Sequence, residues 1–82
     1  MPDAEKVLIG LWHEVNKLLG DAREKRTDWR RLAREALEYP YTEWVGERVA
    51  WALYYHGKVA ALGEVLDIIE RTLKELREER SG

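Results

Sequence analysis

The sequence predicts an all-α protein, a small three- or four-helix bundle with a long C-terminal helix or helical hairpin. Apolar residues recur at alternating steps of three and four along most of the chain, which is the spacing of one helix face. A Tyr-Pro-Tyr sequence at 39–41 interrupts that spacing, and the apolar stretch 49–62 has Lys58 as its only formally charged residue. The 82 residues form one domain, residues 1–82, near the lower size limit for a self-sufficient core.

The composition excludes several classes of function. A net charge of −2 gives no global attraction to nucleic acid or to an anionic membrane. The chain has no cysteine, so it offers no thiol nucleophile and no thiolate metal site. We expect no cofactor, no membrane contact and a cytoplasmic location, because the N-terminus is polar and no apolar run approaches a membrane span. Abundant Glu and Arg with few thermolabile side chains predict a thermostable protein, natural or designed.

The first helix is predicted over 3–20, with Asp3 as its N-cap. Gly20 ends the helix in this interpretation, although a continuation to Lys25 is also compatible with the pattern. Val7, Trp12 and Leu19 make its apolar stripe broader than a two-stranded coiled-coil seam, which predicts packing into a bundle. The stripe itself consists of Ala4, Leu8, Leu11, Val15, Leu18 and Ala22.

A second, shorter helix is predicted over 28–38, with Thr27 or Asp28 as its N-cap. It ends at Tyr39, because a residue that precedes proline is disfavoured in the helical conformation. Its apolar face consists of Trp29, Leu32, Ala33, Ala36 and Leu37.

A third helix is predicted over 43–79, capped by Thr42, and Gly57 is the expected position of a kink or a split into two helices. If unbroken it would be about 55 Å long at 1.5 Å per residue, too long for the two shorter helices to cover. Its middle is apolar on nearly all sides, which is typical of a central helix or an oligomer interface.

This excess of apolar surface predicts a non-enzymatic protein–protein interaction module that associates with itself, most simply as a homodimer, and that serves as an adaptor or regulator of another protein. Aromatic residues are enriched at interface hot spots, and small residues four apart let a second helix approach closely. The predicted contact residues are Trp44, Gly46, Ala50, Trp51, Tyr54 and Tyr55.

A basic run over 23–34 supports an alternative, a small nucleic-acid-binding module. Its arginines would contact phosphates while the indole of Trp29 stacks on a base. The competing interpretation is a solvated helix face with Trp29 in the core. The candidate contact residues are Arg23, Arg26, Arg30, Arg31 and Arg34.

Two carboxylate pairs give a third interpretation. Glu35 and Glu38 form an ExxE pattern, and Glu64 and Asp67 form an ExxD pattern. The combination resembles the magnesium-binding signature of all-α nucleotide pyrophosphohydrolases, and that resemblance implies Mg²⁺ held by carboxylate oxygens. In helical projection both pairs point away from the apolar stripes, so we predict that the protein is not an enzyme.

Overall fold

The computed structural model describes residues 2–38 and 45–81, which form two long helices. Helix α1 spans Pro2–Leu37 and helix α2 spans Val45–Ser81. The two pack along their lengths as an elongated hairpin measuring 64 × 16 × 13 Å. The all-α prediction is confirmed and the C-terminal helix is long, but the prediction of three or four helices is wrong.

The predicted break between the first and second helices is absent. Among the described residues no glycine has a positive φ, so Gly20 does not form a left-handed C-cap. The hydroxyl of Thr27 donates to the carbonyl of Arg23 at 3.0 Å, a bond within a helix rather than a cap. Helix α1 therefore continues through the basic run. It ends where the Glu38 amide donates to the Glu35 carbonyl at 3.2 Å, and the predicted cap at Thr42 lies outside the described residues.

Helix α2 continues through Gly57 as one helix, so the predicted split is absent. Gly57 is exposed on the side of α2 that faces away from α1. A single glycine lowers helix stability by about 1 kcal/mol relative to alanine, which is too little to divide a helix held by packing on both sides of that position.

The seam between the helices follows a heptad repeat, in which positions a and d of each seven residues face the other helix. Every residue at these positions is buried or half-buried. On α1 they are Glu5, Leu8, Trp12, Val15, Leu19, Ala22, Arg26, Trp29, Ala33 and Ala36. On α2 they are Val45, Arg48, Ala52, Tyr55, Val59, Leu62, Leu66, Ile69, Leu73 and Leu76.

The core lies toward the open end of the hairpin, the end where α1 begins and α2 ends. Val15, Ile69 and Leu73 form a buried cluster, and Leu8 and Trp12 pack against it. Toward the closed end, where α1 ends and α2 begins, the buried α1 residues are small alanines. Among the described residues no large side chain is fully buried, because two helices form only one layer.

Replacing Gly57 by alanine tests the continuity of α2. A Cβ at this position meets nothing within 4 Å, so alanine should raise the free energy of unfolding by about 0.5–1 kcal/mol through its higher helix propensity. Thermal denaturation followed by circular dichroism measures the change. Gly20→Ala, equally open, is the matched test for α1, and a fall in melting temperature for either variant would contradict an unbroken helix there.

Candidate interaction surface

Contacts at the open end fix how α1 and α2 are aligned. The carboxylate of Glu5 accepts a hydrogen bond from Arg77 at 3.0 Å and pairs with Arg80 at 2.8 Å. About two helical turns further along, the indole nitrogen of Trp12 donates to the Glu70 carboxylate at 3.0 Å. The helices are therefore antiparallel, with Trp12 level with Glu70.

Contacts toward the closed end keep the same alignment. Arg48 donates to the backbone carbonyl of Leu32 at 3.0 Å, and a guanidinium nitrogen of Arg30 lies 3.1 Å from Nδ1 of His56. Arginine has only donors, so Nδ1 is the acceptor in this contact. His56 thus bonds to an arginine on the surface.

The two sides of the hairpin differ in character. In an antiparallel pair, positions e of both helices lie on one side of the seam and positions g of both lie on the other. Arg30 and His56 both occupy e positions and touch each other. A groove beside Trp12, which includes Ile9, His13 and Lys74, lies on this same side. Positions g, together with the neighbouring c positions, therefore form the opposite side.

Most of the exposed apolar surface lies on this g and c side. Among the described residues nine large apolar side chains are exposed, and seven of them are at g or c positions. The other two, Leu37 and Leu53, are on the e side near the closed end. We call the seven the apolar face: Val7, Leu11 and Leu18 on α1, and Trp51, Tyr54, Val65 and Ile68 on α2.

An aromatic cluster links the seam to the apolar face near the closed end. Trp29 stacks on Trp51 with ring centroids 5.8 Å apart and an interplanar angle of 22°. Trp51 also stacks on Tyr55 at 6.1 Å and meets the edge of Tyr54 at 5.6 Å. Trp51 is held by aromatic contacts on several sides, so it presents a preorganised surface to a partner.

The structure brings together three of the residues predicted to form the contact and separates the others. Trp51 and Tyr54 lie on the apolar face, and Tyr55 is half-buried in the seam beside them. Gly46 and Ala50 are exposed at b and f positions, away from that face. Trp44 lies outside the described residues. The sequence assigned Val7, Leu11 and Leu18 to a core stripe, but in the hairpin they remain exposed.

The basic run occupies the side opposite the apolar face. Arg23, Arg30 and Arg34 are exposed at e and b positions, and Arg31, also exposed, lies 4.0 Å from Asp28. Arg26 instead points into the seam, where its Nε atom is buried and has no hydrogen-bond partner within the described residues. Trp29 is half-buried against Trp51, so its indole is not free to stack on a base.

The acidic motifs do not converge within one chain. Glu35 and Glu38 lie at the closed end, whereas the alignment of the helices places Glu64 and Asp67 roughly 25–30 Å away along the hairpin. The described residues contain no group of three or more His, Cys, Asp or Glu side chains arranged to hold a metal ion. Within one chain, the resemblance to the magnesium-binding signature is therefore confined to sequence spacing.

No protein-family model, curated protein or solved structure matches this chain. Over the described ranges, neither helix combines the length and apolar character needed to cross a lipid bilayer. The surface chemistry of the hairpin is therefore the basis for assigning a function.

The contacts of Glu5 make the stability of the hairpin depend on pH. The hydrogen bond from Arg77, supported by the charge of Arg80, lowers the pKa of Glu5 below its ordinary value of 4.5. A carboxylate with a depressed pKa stabilises the folded state above its unfolded-state pKa, and this contribution is lost as pH falls through the folded-state pKa.

Glu5→Gln should therefore be less stable than the wild type at pH 7, and the difference should be smaller at pH 3. Urea denaturation of both proteins at the two pH values, at one protein concentration, measures this. Glu24→Gln removes an exposed carboxylate that makes no ion pair in the described part of the chain, and it serves as the control. If Glu5→Gln lowered the free energy of unfolding equally at both pH values, an ionic role for Glu5 would be excluded.

Proposed function

We propose that this protein is a non-enzymatic helical interaction module that associates with itself as a dimer, in which the apolar faces of two hairpins meet. The observation that supports this proposal is the concentration of exposed large apolar side chains on one side of the hairpin. Contiguous apolar patches of this kind mark interaction sites in soluble proteins.

The incomplete core also supports self-association. A single pair of helices covers each seam residue from one direction, and the described residues include no fully buried large side chain. A second hairpin of the same length would add the missing layer and complete a four-helix bundle, the usual solution for helices with broad apolar stripes.

The size of the face fits a stable dimer. The hairpin is 64 Å long and 16 Å wide, so one side offers on the order of 1000 Å². A standard stable interface buries about 800 Å² on each partner. A second copy matches this long and narrow shape along its full length.

The proposal differs in detail from the sequence-based one. Trp51 and Tyr54 remain contact residues, and Tyr55 supports them from the seam. The small residues Gly46 and Ala50 are replaced as contact residues by Leu11, Leu18 and Val65, which are exposed on the same side as Trp51. An adaptor or regulatory role toward another protein, thermostability and a cytoplasmic location stay predictions from the sequence.

Ile68→Glu should convert the dimer to a monomer. Ile68 is 56% exposed in the single hairpin, so dimerisation would bury about half of its side chain. Its substitution by glutamate removes about 1–2 kcal/mol of binding free energy in each copy, and the desolvation of the carboxylate adds to this loss. The dimer should weaken by at least about 30-fold, since every 1.4 kcal/mol changes affinity tenfold. Light scattering and sedimentation equilibrium at micromolar concentration measure the mass.

Leu53→Glu is the matched control for this experiment. Leu53 is 65% exposed on the same helix but lies on the opposite side of the hairpin, so its substitution should leave the dimer intact. A wild-type protein that is strictly monomeric, or two variants that behave alike, would refute the proposed interface.

A specific observation also favours a second function, binding of nucleic acid. Near the closed end, the e and b positions of both helices carry no acidic residue, while Arg23, Arg30 and Arg34 are exposed there. This basic face is opposite the apolar face, so the two functions are compatible. Clustered arginines on one face provide phosphate contacts whose strength falls as salt is added.

The combined substitutions Arg23→Gln, Arg30→Gln and Arg34→Gln test this second function. If the basic face binds phosphates, the slope of log affinity against log salt for an oligonucleotide should fall by about 1 for each arginine removed. Lys6→Gln with Lys17→Gln, in the other half of α1, is the control. Absence of salt-sensitive binding by the wild-type protein at low ionic strength would remove nucleic acid from consideration.

A further inference from the structure

The composition of the apolar face changes along the hairpin, and this change indicates how a second copy is oriented. The three α1 residues of the apolar face, Val7, Leu11 and Leu18, all lie in the half nearer the open end. Beyond them the g and c positions of α1 are mostly charged. These charged residues are Asp21, Lys25, Asp28 and Glu35. The apolar residues of α2 extend further, from Trp51 to Ile68.

We infer that in the proposed dimer both hairpins point the same way, with α1 of each copy packed against α2 of the other. This inference rests on the proposed self-association. It describes a twofold axis parallel to the long axis of the hairpin, with both closed ends at one end of the bundle. A rotation about such an axis leaves the height of every residue along the hairpin unchanged.

Two pairs of apolar residues then meet across the interface, in the half nearer the open end. Because Trp12 is level with Glu70, Leu11 lies within one helical turn of Ile68, and Leu18 lies nearly level with Val65. In the proposed arrangement Leu11 faces Ile68 of the second copy, and Leu18 faces Val65 of the second copy.

The charges also become complementary. Asp21 lies within one helical turn of the level of Lys58, and both side chains are exposed on the apolar side of the hairpin. Neither makes an ion pair within the described parts of the chain, although the Lys58 ammonium lies 5.9 Å from the ring centroid of Tyr55. Twofold packing of α1 on α2 brings Asp21 of each copy to Lys58 of the other and forms the pair twice.

The opposite arrangement lacks this complementarity. If the closed ends lay at opposite ends of the bundle, α1 would run antiparallel to α1 of the second copy. Leu11 and Leu18 would then meet the charged half of α1 that begins at Asp21, and Asp21 would lie close to its own counterpart near the middle. Apolar side chains would be buried against charges and like charges would repel, which destabilises that packing.

Pulsed electron paramagnetic resonance with one spin label per chain distinguishes these arrangements. The chain has no cysteine, so Lys6→Cys provides a single labelling site on the exposed outer side of α1. Parallel hairpins place the two labels at the same end, roughly 20–30 Å apart across two helix diameters. Opposed hairpins place them more than about 40 Å apart along the axis.

Lys17→Cys, near the middle of α1, is the control because its labels are close in either arrangement. Short distances from both sites support the inference. A short distance from Lys17→Cys with a long one from Lys6→Cys overturns the orientation while self-association stands. If neither site gives an intermolecular distance, the proposed dimer itself is refuted.

A charge exchange tests the predicted pair independently. Asp21→Lys and Lys58→Asp should each weaken the dimer by roughly three- to tenfold, because like charges then meet across the interface. The double variant should recover most of the wild-type affinity. Circular dichroism of each variant checks that the helices remain folded. If the loss of dimer affinity in the double variant equalled the sum of the losses in the two single variants, this pair would be excluded.

Discussion

The seam between the two helices is the constraint on which the rest of the structure depends. Its heptad spacing continues without interruption from Glu5 to Ala36 on α1 and from Val45 to Leu76 on α2. This continuity keeps the two helices packed along their lengths and determines which side chains lie outside the seam. The exposed apolar face follows directly, because apolar residues at g and c positions have no helix to cover them within one hairpin.

Fold class was predictable from the sequence, because apolar residues at helical spacing dominate both halves of the chain. The number of helices was not predictable from the same signal. Arg26 occupies a seam position between Ala22 and Trp29, so an apolar pattern lapses there although the heptad spacing continues. Gly20, just before this lapse, supported a break that the structure does not have. Spacing that persists through a charged residue was the signal that the prediction missed.

The candidate surface was predictable in part for a related reason. Trp51 and Tyr54 were identified because they lie on a helix with apolar residues on nearly all sides. Leu11 and Leu18 were assigned to the core, since the sequence cannot say how much of a broad stripe a single partner helix covers. The stacking of Trp29 on Trp51 joins residues from different helices, so it depends on the alignment of α1 with α2, which spacing within one helix does not specify.

The two arginines within the seam, Arg26 and Arg48, favour the observed alignment of α2 with α1 because they disfavour slipped alignments. In the observed alignment Arg26 lies level with Tyr55, and Arg48 reaches the carbonyl of Leu32. A slip of α2 by one heptad in one direction would set Arg26 against Arg48, and a slip in the other direction would set it against Leu62. Both slipped states would bury a cation beside a like charge or against hydrocarbon, which is strongly unfavourable. Arg26, whose Nε has no hydrogen-bond partner within the described residues, therefore disfavours both hairpins that are misaligned by one heptad.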